Sequence, residues 1–490
     1  MLVAINYFLQ QFNLFSLLMN TIALFMLLFS PVLSLLFLPL KSNNRNLFYA
    51  VLLIFAFIQI VSGILVDVNT EFKIEAIYFS LKIDKYSKLF SILIGASWLI
   101  SIIYSLEFTK YHFQDKTKRF LTYLNILLTV VVFNALAGNL QTLFFFYVIG
   151  IPLTYPLLNI RDTNKSRHGA KLFLKQTLFP AFFILLPAIG LIYYFVGSLS
   201  FDTQKTFLSE NVNPYYGGLV LAMLILGLAK NATFPFHNWL PSNNTAPAPV
   251  SALVHSVGTV KTASIAMIKI TVYMFNIEYI RSLTDSFFTG GWLVFLCGLT
   301  AVYTAYRALK TDDLKQRFTL STVGQLSYIL LAVLVGTPVA ILAGTLHIVT
   351  HSIAKSCLFY TAGFFNSFYG TTSADEVGKI IPNFKFIAIV VAICGLSITG
   401  FPFLAGFYSK DLMLLEEWHS HNYFSAIFLL IGSVINIFYI LPVVKNAFKA
   451  RNTEIVTHKI PLGMTITFVV SIVLIISSNF YMSYITHFIE

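Results

Sequence analysis

Three basic side chains recur every four residues in one apolar stretch: His347, His351 and Lys355. On a helix that spacing sets them in a single stripe. Two imidazoles four apart could bind zinc, but metalloprotease chemistry also needs a glutamate after the first histidine and a third ligand. Ile348 follows His347, so no metal is assigned. Lys230, His255, Lys261, Lys269 and Lys410 also fall in apolar runs, while no charged side chain lies between Leu121 and Ile160. Ionisable groups in hydrocarbon are costly and mark ion pathways. Lysine and histidine exchange protons when burial disfavours their charged forms. A row of them reads as a proton relay, and the alternative is a polar stripe that only hydrogen-bonds a helix bundle. On an ideal helix His255 and Lys261, six residues apart, sit about 240° from each other and do not share a face. Lys269, Tyr303 and Tyr328 read as packing or span-end residues.

Two of the lysines stand beside interruptions. Lys230 ends the apolar run 218–230 and is followed by Asn-Ala-Thr-Phe-Pro235-Phe-His237-Asn-Trp239-Leu-Pro241, then by Pro247 and Pro249. Lys410 closes Gly400-Phe-Pro402-Phe-Leu-Ala-Gly406-Phe-Tyr-Ser-Lys410, with Asp411 next to it. Proline removes helical hydrogen bonds. Broken helices at membrane depth line cavities or are buried in protein, and they form binding sites in transporters. The lysine precedes Pro235 but follows Pro402, an order that suits an inverted repeat. Snorkelling for Lys230 and an ion pair with Asp411 for Lys410 are the structural alternatives.

The elements that must position these groups are membrane helices. The 490 residues are 57% hydrophobic and 11% charged, with a mean hydropathy of +0.79, against about 25% charged in soluble domains. This excludes an ordinary soluble enzyme and a disordered chain. A spanning helix needs about 20 apolar residues. Fourteen stretches qualify: 14–39, 47–67, 86–106, 120–137, 139–159, 172–197, 216–232, 248–276, 290–308, 319–336, 338–365, 384–410, 423–444 and 460–487. The first lacks a signal-peptide pattern and is expected to be retained. Basic loops hold Lys41 and Arg45; Lys110, Lys116, Lys118 and Arg119; Arg161, Lys165, Arg167 and Lys171; Arg307, Lys310, Lys315 and Arg317; and Lys445, Lys449, Arg451 and Lys459. Loops of the opposite parity hold Asp202, Lys205 and Glu210, and Glu278, Arg281 and Asp285, each net acidic. The positive-inside rule therefore sets both termini outside the cytoplasm. Residues 67–85 alternate like a short external hairpin. Cys297, Cys357 and Cys394 are isolated in apolar stretches, so no iron–sulfur or zinc site is expected. No nucleotide-binding glycine motif occurs, which speaks against a self-contained ATPase or dehydrogenase.

These residues carry a resemblance. Lys230 through Pro241, with Ala246-Pro-Ala-Pro-Val-Ser-Ala-Leu-Val-His255-Ser-Val-Gly-Thr-Val-Lys261, resembles the signature of the proton-conducting antiporter-like subunits of respiratory complex I, Mrp-type antiporters and membrane-bound hydrogenases. Leu309 through Tyr328, Gly344 through Phe359, and Gly400 through Asp411 are similar to further landmarks of that superfamily, and the likeness runs from about Asp84 to about Lys445. The resemblance implies an all-α polytopic protein of about 14 transmembrane helices. It would comprise helices 1–3 (residues 1–119), a first antiporter-like repeat (120–276), an inverted second repeat (290–445) and helix 14 (446–490). Each repeat would hold five helices, with helices seven and twelve broken at Pro235, Pro241 and Pro402. It further implies a proton pathway through Lys230, His255, Lys261, His347, His351, Lys355 and Lys410. Val260-Lys261 and the length look most like a D-type antiporter subunit. The length also looks too short for the lateral helix of the largest complex I antiporter-like subunit.

One position departs from the pattern. Val148 stands where the family carries a helix-five glutamate that pairs with the helix-seven lysine. A desolvated lysine without its anion tends to be neutral. The expected function is a proton-translocating subunit of a multisubunit complex in a bacterial inner membrane, most like the D-type subunit of a monovalent cation/proton antiporter. The expected partners are other membrane subunits and protons, with Na+ or K+ as candidate exchange ions, and no nucleic acid, cofactor or catalytic centre. The alternatives are a complex I subunit, the membrane partner of an inorganic-carbon uptake system, and a structural subunit impaired by Val148.

Overall fold

The computed structural model describes residues 2–36, 45–112, 116–202, 204–449 and 457–489. Lys41, Arg451 and the end of the first expected span (37–39) lie outside the described residues. The chain runs α1 (Leu2–Leu36), α2 (Arg45–Leu65), β1 (Glu71–Ile74), β2 (Phe79–Lys82), α3 (Lys85–Tyr111), α4 (Thr117–Ala135), α5 (Leu140–Leu158), α6 (Asn164–Val196), α7 (Pro214–Gly227), α8 (Ala248–Phe275) and α9 (Ile277–Thr284). It continues as α10 (Phe287–Leu309), α11 (Leu314–Val335), α12 (Pro338–Tyr369), α13 (Lys385–Thr399), α14 (Ala405–His419), α15 (Tyr423–Ala447), α16 (Leu462–Ile476) and α17 (Ser478–Ile489). Among the described residues nine helices are long and apolar enough to cross a membrane, or up to eleven if each of two bent pairs is one span. That is fewer than the fourteen stretches read from hydropathy. α7 and α13 are shorter apolar helices, because the chain leaves helical geometry inside both stretches.

Residues 67–85 form the expected hairpin, with β1 antiparallel to β2 and Glu71 opposite Lys82. The closely spaced stretches 120–159 and 319–365 each resolve into two packed helices, α4 with α5 and α11 with α12. Strong caps make the second division sharp. Asp313 accepts from the Gln316 backbone N–H at 2.7 Å to start α11, and Thr337 accepts from the Ala340 N–H at 3.1 Å to start α12. Between them Gly336 ends α11 at φ +65°, where a Cβ would lie 2.6 Å from the Arg281 backbone nitrogen.

α11 is the centre of the bundle. Its whole apolar window is buried, and α10, α12 and α15 pack around it. α12 also packs on α14 and on the first half of α8, so the stripe side chains are enclosed by protein. Outward faces carry large exposed apolar groups such as Phe57, Tyr194, Phe288 and Phe480, as a lipid-facing surface requires.

Lys269 is not a span-end residue. It is fully buried on α8, 2.8 Å from Asp84, and also donates to Ser87 Oγ at 2.8 Å and the Ala137 carbonyl at 2.7 Å. Asp84 caps α3 by accepting from the Ser87 N–H at 2.8 Å. One ion pair therefore fastens the helix that carries His255 and Lys261 to the hairpin and to α3. Removing one member of a buried pair strands the other charge and typically costs about 3–5 kcal/mol. Asp84→Asn and Lys269→Met should each lower the unfolding midpoint in detergent, and the double variant Asp84→Asn/Lys269→Met should lose less than the two single losses combined. Strict additivity would mean that the pair is not coupled.

Candidate functional site

The first break is set before its prolines. α7 ends at Gly227, whose Cβ position lies 2.7 Å from the Leu185 backbone nitrogen, so only a glycine allows α6 this close. A single 3-10 turn over Ala229–Asn231 follows, and Ala232 takes φ +54°. The chain has thus left the helix well before Pro235, and Pro241 sits inside the short turn Trp239–Ser242. The prolines keep the segment from re-forming a helix rather than starting the break. Lys230 lies on the 3-10 turn, 2% exposed, so it does not snorkel. Its ammonium donates to the Tyr147 carbonyl at 2.8 Å and sits 4.1 Å from the centre of the Tyr147 ring, while the Tyr147 hydroxyl meets the Lys230 backbone N–H at 3.2 Å. Pro152 in α5 has no N–H to give to the Val148 carbonyl four residues back, next to that acceptor. Val148 is half-buried against the apolar core, and no carboxylate bonds Lys230.

At the second break α13 ends at Thr399, Gly400 takes φ +89° and Phe403 φ +68°, and α14 starts at Ala405, with Pro402 in the turn. Lys410 reaches back from α14 to the end of α13, donating to the Ile398 carbonyl at 2.8 Å and to Ser433 Oγ at 3.2 Å. It lies 5.2 Å from the centre of the Tyr328 ring, and its bonds are not to Asp411. The last carbonyls of a helix are free acceptors at the negative end of its dipole, which suits a cation.

Between the breaks, α8 carries a π turn over Val254–Gly258, and Thr259 leaves helical geometry at φ −126°. The extra residue in the turn changes the phase that an ideal helix assigns to His255 and Lys261, and His255 lies within electrostatic reach of Lys261, Lys355 and Lys315. His255 stacks on Phe359 with centroids 4.3 Å apart. Lys261 is completely buried and its ammonium has no hydrogen-bond partner. His351 is equally enclosed, with both ring nitrogens unpartnered and within reach of Lys261, Lys355, His347 and His255. His347 is bridged on both sides, Nε2 to Gln325 Oε1 at 3.0 Å and Nδ1 to Ser409 Oγ at 3.0 Å. Lys355 donates to the Phe318 carbonyl at 2.9 Å. Six of the seven candidate pathway residues therefore form one buried group around α12. Lys230 stands apart at the first break, tied to α8 through the Asn231–Ser264 side-chain bond of 2.8 Å.

Three features escaped the reading of charges as loops and spans. Lys315, assigned to a basic loop, is buried and donates to the Asn244 carbonyl at 2.6 Å and to the Ala246 carbonyl. Arg317 is likewise tied to the Thr311 carbonyl at 2.7 Å and the Tyr439 carbonyl at 3.1 Å. Both satisfy irregular backbone and are not free loop charges. Tyr328 is fully buried, its ring 5.2 Å from the Lys410 ammonium, whereas Tyr303 is half exposed. Glu417, two turns beyond Lys410 on α14, is completely buried, and its i, i+7 spacing could have singled it out.

Chemically, this is a line of ammonium and imidazole groups held by carbonyls, hydroxyls and an amide. Such partners orient a cation without cancelling its charge. The described residues contain no cluster of three or more His, Cys, Asp or Glu able to hold a metal.

Residues 137–436 match the family described as NADH:quinone oxidoreductase/Mrp antiporter, TM. The chain is 31% identical over 354 residues to the A/B-type subunit of a probable K(+)/H(+) antiporter from Rhizobium meliloti (strain 1021), covering 70% of this chain and 33% of that protein. It is 28% identical over 369 residues to the chloroplastic NAD(P)H-quinone oxidoreductase subunit 5 of Piper cenocladum, covering 72% of this chain and 47% of that protein. The chain thus spans about a third to a half of the length of these relatives. A chain in the structure of respiratory complex I from Thermus thermophilus shares the fold at a TM-score of 0.80 and 17% identity, over 95% of this chain and 97% of that one. With more than half its length inside the family's matched region, this integral multi-pass membrane protein belongs to the NADH:quinone oxidoreductase/Mrp antiporter family of antiporter-like subunits.

Proposed function

We propose that the chain is a proton-translocating subunit of an Mrp-type or complex I-like assembly, with protons passing along Lys230, Lys261, His255, His351, His347, Lys355 and Lys410. One observation carries this reading: a contiguous group of buried basic side chains, several of them unpartnered, runs towards a helix break whose lysine is held by main-chain carbonyls. A structural bundle has no need of unpartnered lysine in its interior, since each such group is costly.

The architecture behind the reading is fourteen spans. It has helices 1–3 in residues 1–119, inverted five-helix repeats in 120–276 and 290–445, and a last helix in 446–490. The repeat is supported by the pairing of α7 and α13–α14 as interrupted apolar segments, each with a lysine at its break. Loop charge supports termini outside the cytoplasm of a bacterial inner membrane. The relatives compared are A/B-type antiporter proteins or the fifth subunit of a quinone oxidoreductase, so they lend no support to the finer D-type reading. Partners would be neighbouring membrane subunits, and K+ or Na+ exchange is suggested by the antiporter relatives' names. A role beside an inorganic-carbon enzyme has no observation that favours it.

A second reading, in which conduction through this protein is impaired, is favoured by Val148: Lys230 has a carbonyl where a carboxylate is expected. Proton flux in proteoliposomes separates the two. Lys230→Ala and Lys410→Ala should each reduce flux at least tenfold while the complex still assembles. Val148→Glu should shift the pH profile of flux by giving Lys230 an anion. Wild-type flux in both lysine variants removes the relay, and an unshifted Val148→Glu profile supports impaired conduction.

A further inference from the structure

Glu417 is a buried acid that the lysine and histidine line does not account for. Its side chain is completely enclosed. One carboxyl oxygen accepts from Ser425 Oγ at 2.7 Å, and Oε2 has no hydrogen-bond partner. No salt bridge among the described residues includes it. An unpaired carboxyl inside a membrane bundle is costly when charged and is the kind of group that binds a proton.

Its position gives that proton somewhere to come from and to go. Lys410 and Glu417 are seven apart on α14 and share a face about 10 Å apart along the axis, from the rise of about 1.5 Å per residue. Tyr328 of α11 packs beside Lys410, and neither its hydroxyl nor Oε2 of Glu417 has a hydrogen-bond partner. The Tyr328 ring is 5.2 Å from the Lys410 ammonium, and Glu417 is within electrostatic reach of its hydroxyl. Gly432 of α15 leaves room for that hydroxyl, since a Cβ there would collide with it. Beyond Glu417, α14 ends in a turn whose Asn422 N–H donates to the Glu417 carbonyl at 2.9 Å. Ser420, His421 and Asn422 of that turn line an open cavity of about 510 Å³, together with Arg281 and Asp285. The cavity thus opens among the acidic-parity loops, opposite the basic ones. Of the titratable groups, Tyr328 from α11 is within electrostatic reach of Glu417, Lys410 shares its helix two turns away, and His421 lies in the cavity wall beyond it.

We propose that Glu417 is a further proton-carrying residue of the pathway, passing protons between Lys410 and this cavity. The step balances simply. The Lys410 N–H bond breaks with its electron pair left on nitrogen. The proton crosses to Oε2 of Glu417 through water bridging to the unpartnered Tyr328 hydroxyl and Oε2, and the new O–H is then lost to water in the cavity. The reverse sequence loads Lys410 from the cavity. This inference rests on the proton-translocating reading above.

The test uses the assembled complex in proteoliposomes, with proton flux read from a pH-sensitive dye. Glu417→Gln keeps an acceptor for Ser425 but cannot carry a proton. It should lower flux at least tenfold with assembly unchanged. Glu417→Ala should lose flux similarly and recover at least threefold when formate, a small diffusible acid, is added on the cavity side. Rescue of that kind is not expected of a residue that only holds α14 against α15. Wild-type flux in Glu417→Gln overturns the proposal, as does loss in both variants with no recovery in formate. Lys410→Ala, measured alongside, keeps the two claims apart: if it loses flux while Glu417→Gln does not, the pathway stands and only the role of Glu417 falls.

Discussion

Every part of this molecule is constrained by the cost of enclosing positive charge away from water. A cation in a bundle needs electron-rich partners. Among the described residues one buried ion pair occurs, Asp84 with Lys269, and it serves attachment. The candidate pathway uses something else. Lys230, Lys355 and Lys410 rest on main-chain carbonyls of Tyr147, Phe318 and Ile398. A regular helix spends its carbonyls on its own N–H groups; Ile398 is a free acceptor at the end of α13, whereas Tyr147 and Phe318 accept from within α5 and α11. The second break is therefore as much a source of ligands as a source of space.

The fold follows from that need. α11 is wholly enclosed so that α12 can present its stripe inward, and Asp313, Thr337 and Gly336 set where each helix starts and stops. Lys315 and Arg317 satisfy the irregular backbone around Asn244, Ala246 and Thr311, which fixes the approach to α8. The π turn at His255 and the distortion at Thr259 bring His255 and Lys261 to the same interior. Carbonyls and hydroxyls leave the net charge of the line uncancelled. Glu417, near the end of α14, is a completely buried acid on the same helix as Lys410.

Much of this was legible in the residues. Apolar runs marked the helical segments, the i, i+4, i+8 spacing marked the α12 stripe, and glycine with proline marked both interrupted segments. The hairpin at 67–85 was readable from alternation. What could not be read came from contacts distant in sequence. Hydropathy cannot tell that Lys269 meets Asp84, or that Lys315 turns inward from a loop. An ideal helical wheel separates His255 from Lys261 because it has no place for a π turn. Proline marked the first break but not its onset, which Gly227 sets by its close approach to Leu185. Nine to eleven of the fourteen stretches read from hydropathy are long apolar helices among the described residues, and α7 and α13 are shortened where the chain breaks.

The central claim is that protons pass through the basic group at the middle of the bundle. Lys261 tests it most directly, since it is completely buried, lacks a hydrogen-bond partner and faces the histidines of α12. Replacing it by methionine keeps its length and apolar contacts and removes the exchangeable proton. The deciding measurement is dye-reported proton flux in proteoliposomes holding the assembled Lys261→Met complex. The account predicts a loss of at least tenfold with the complex intact, and flux equal to that of the unaltered complex would contradict it.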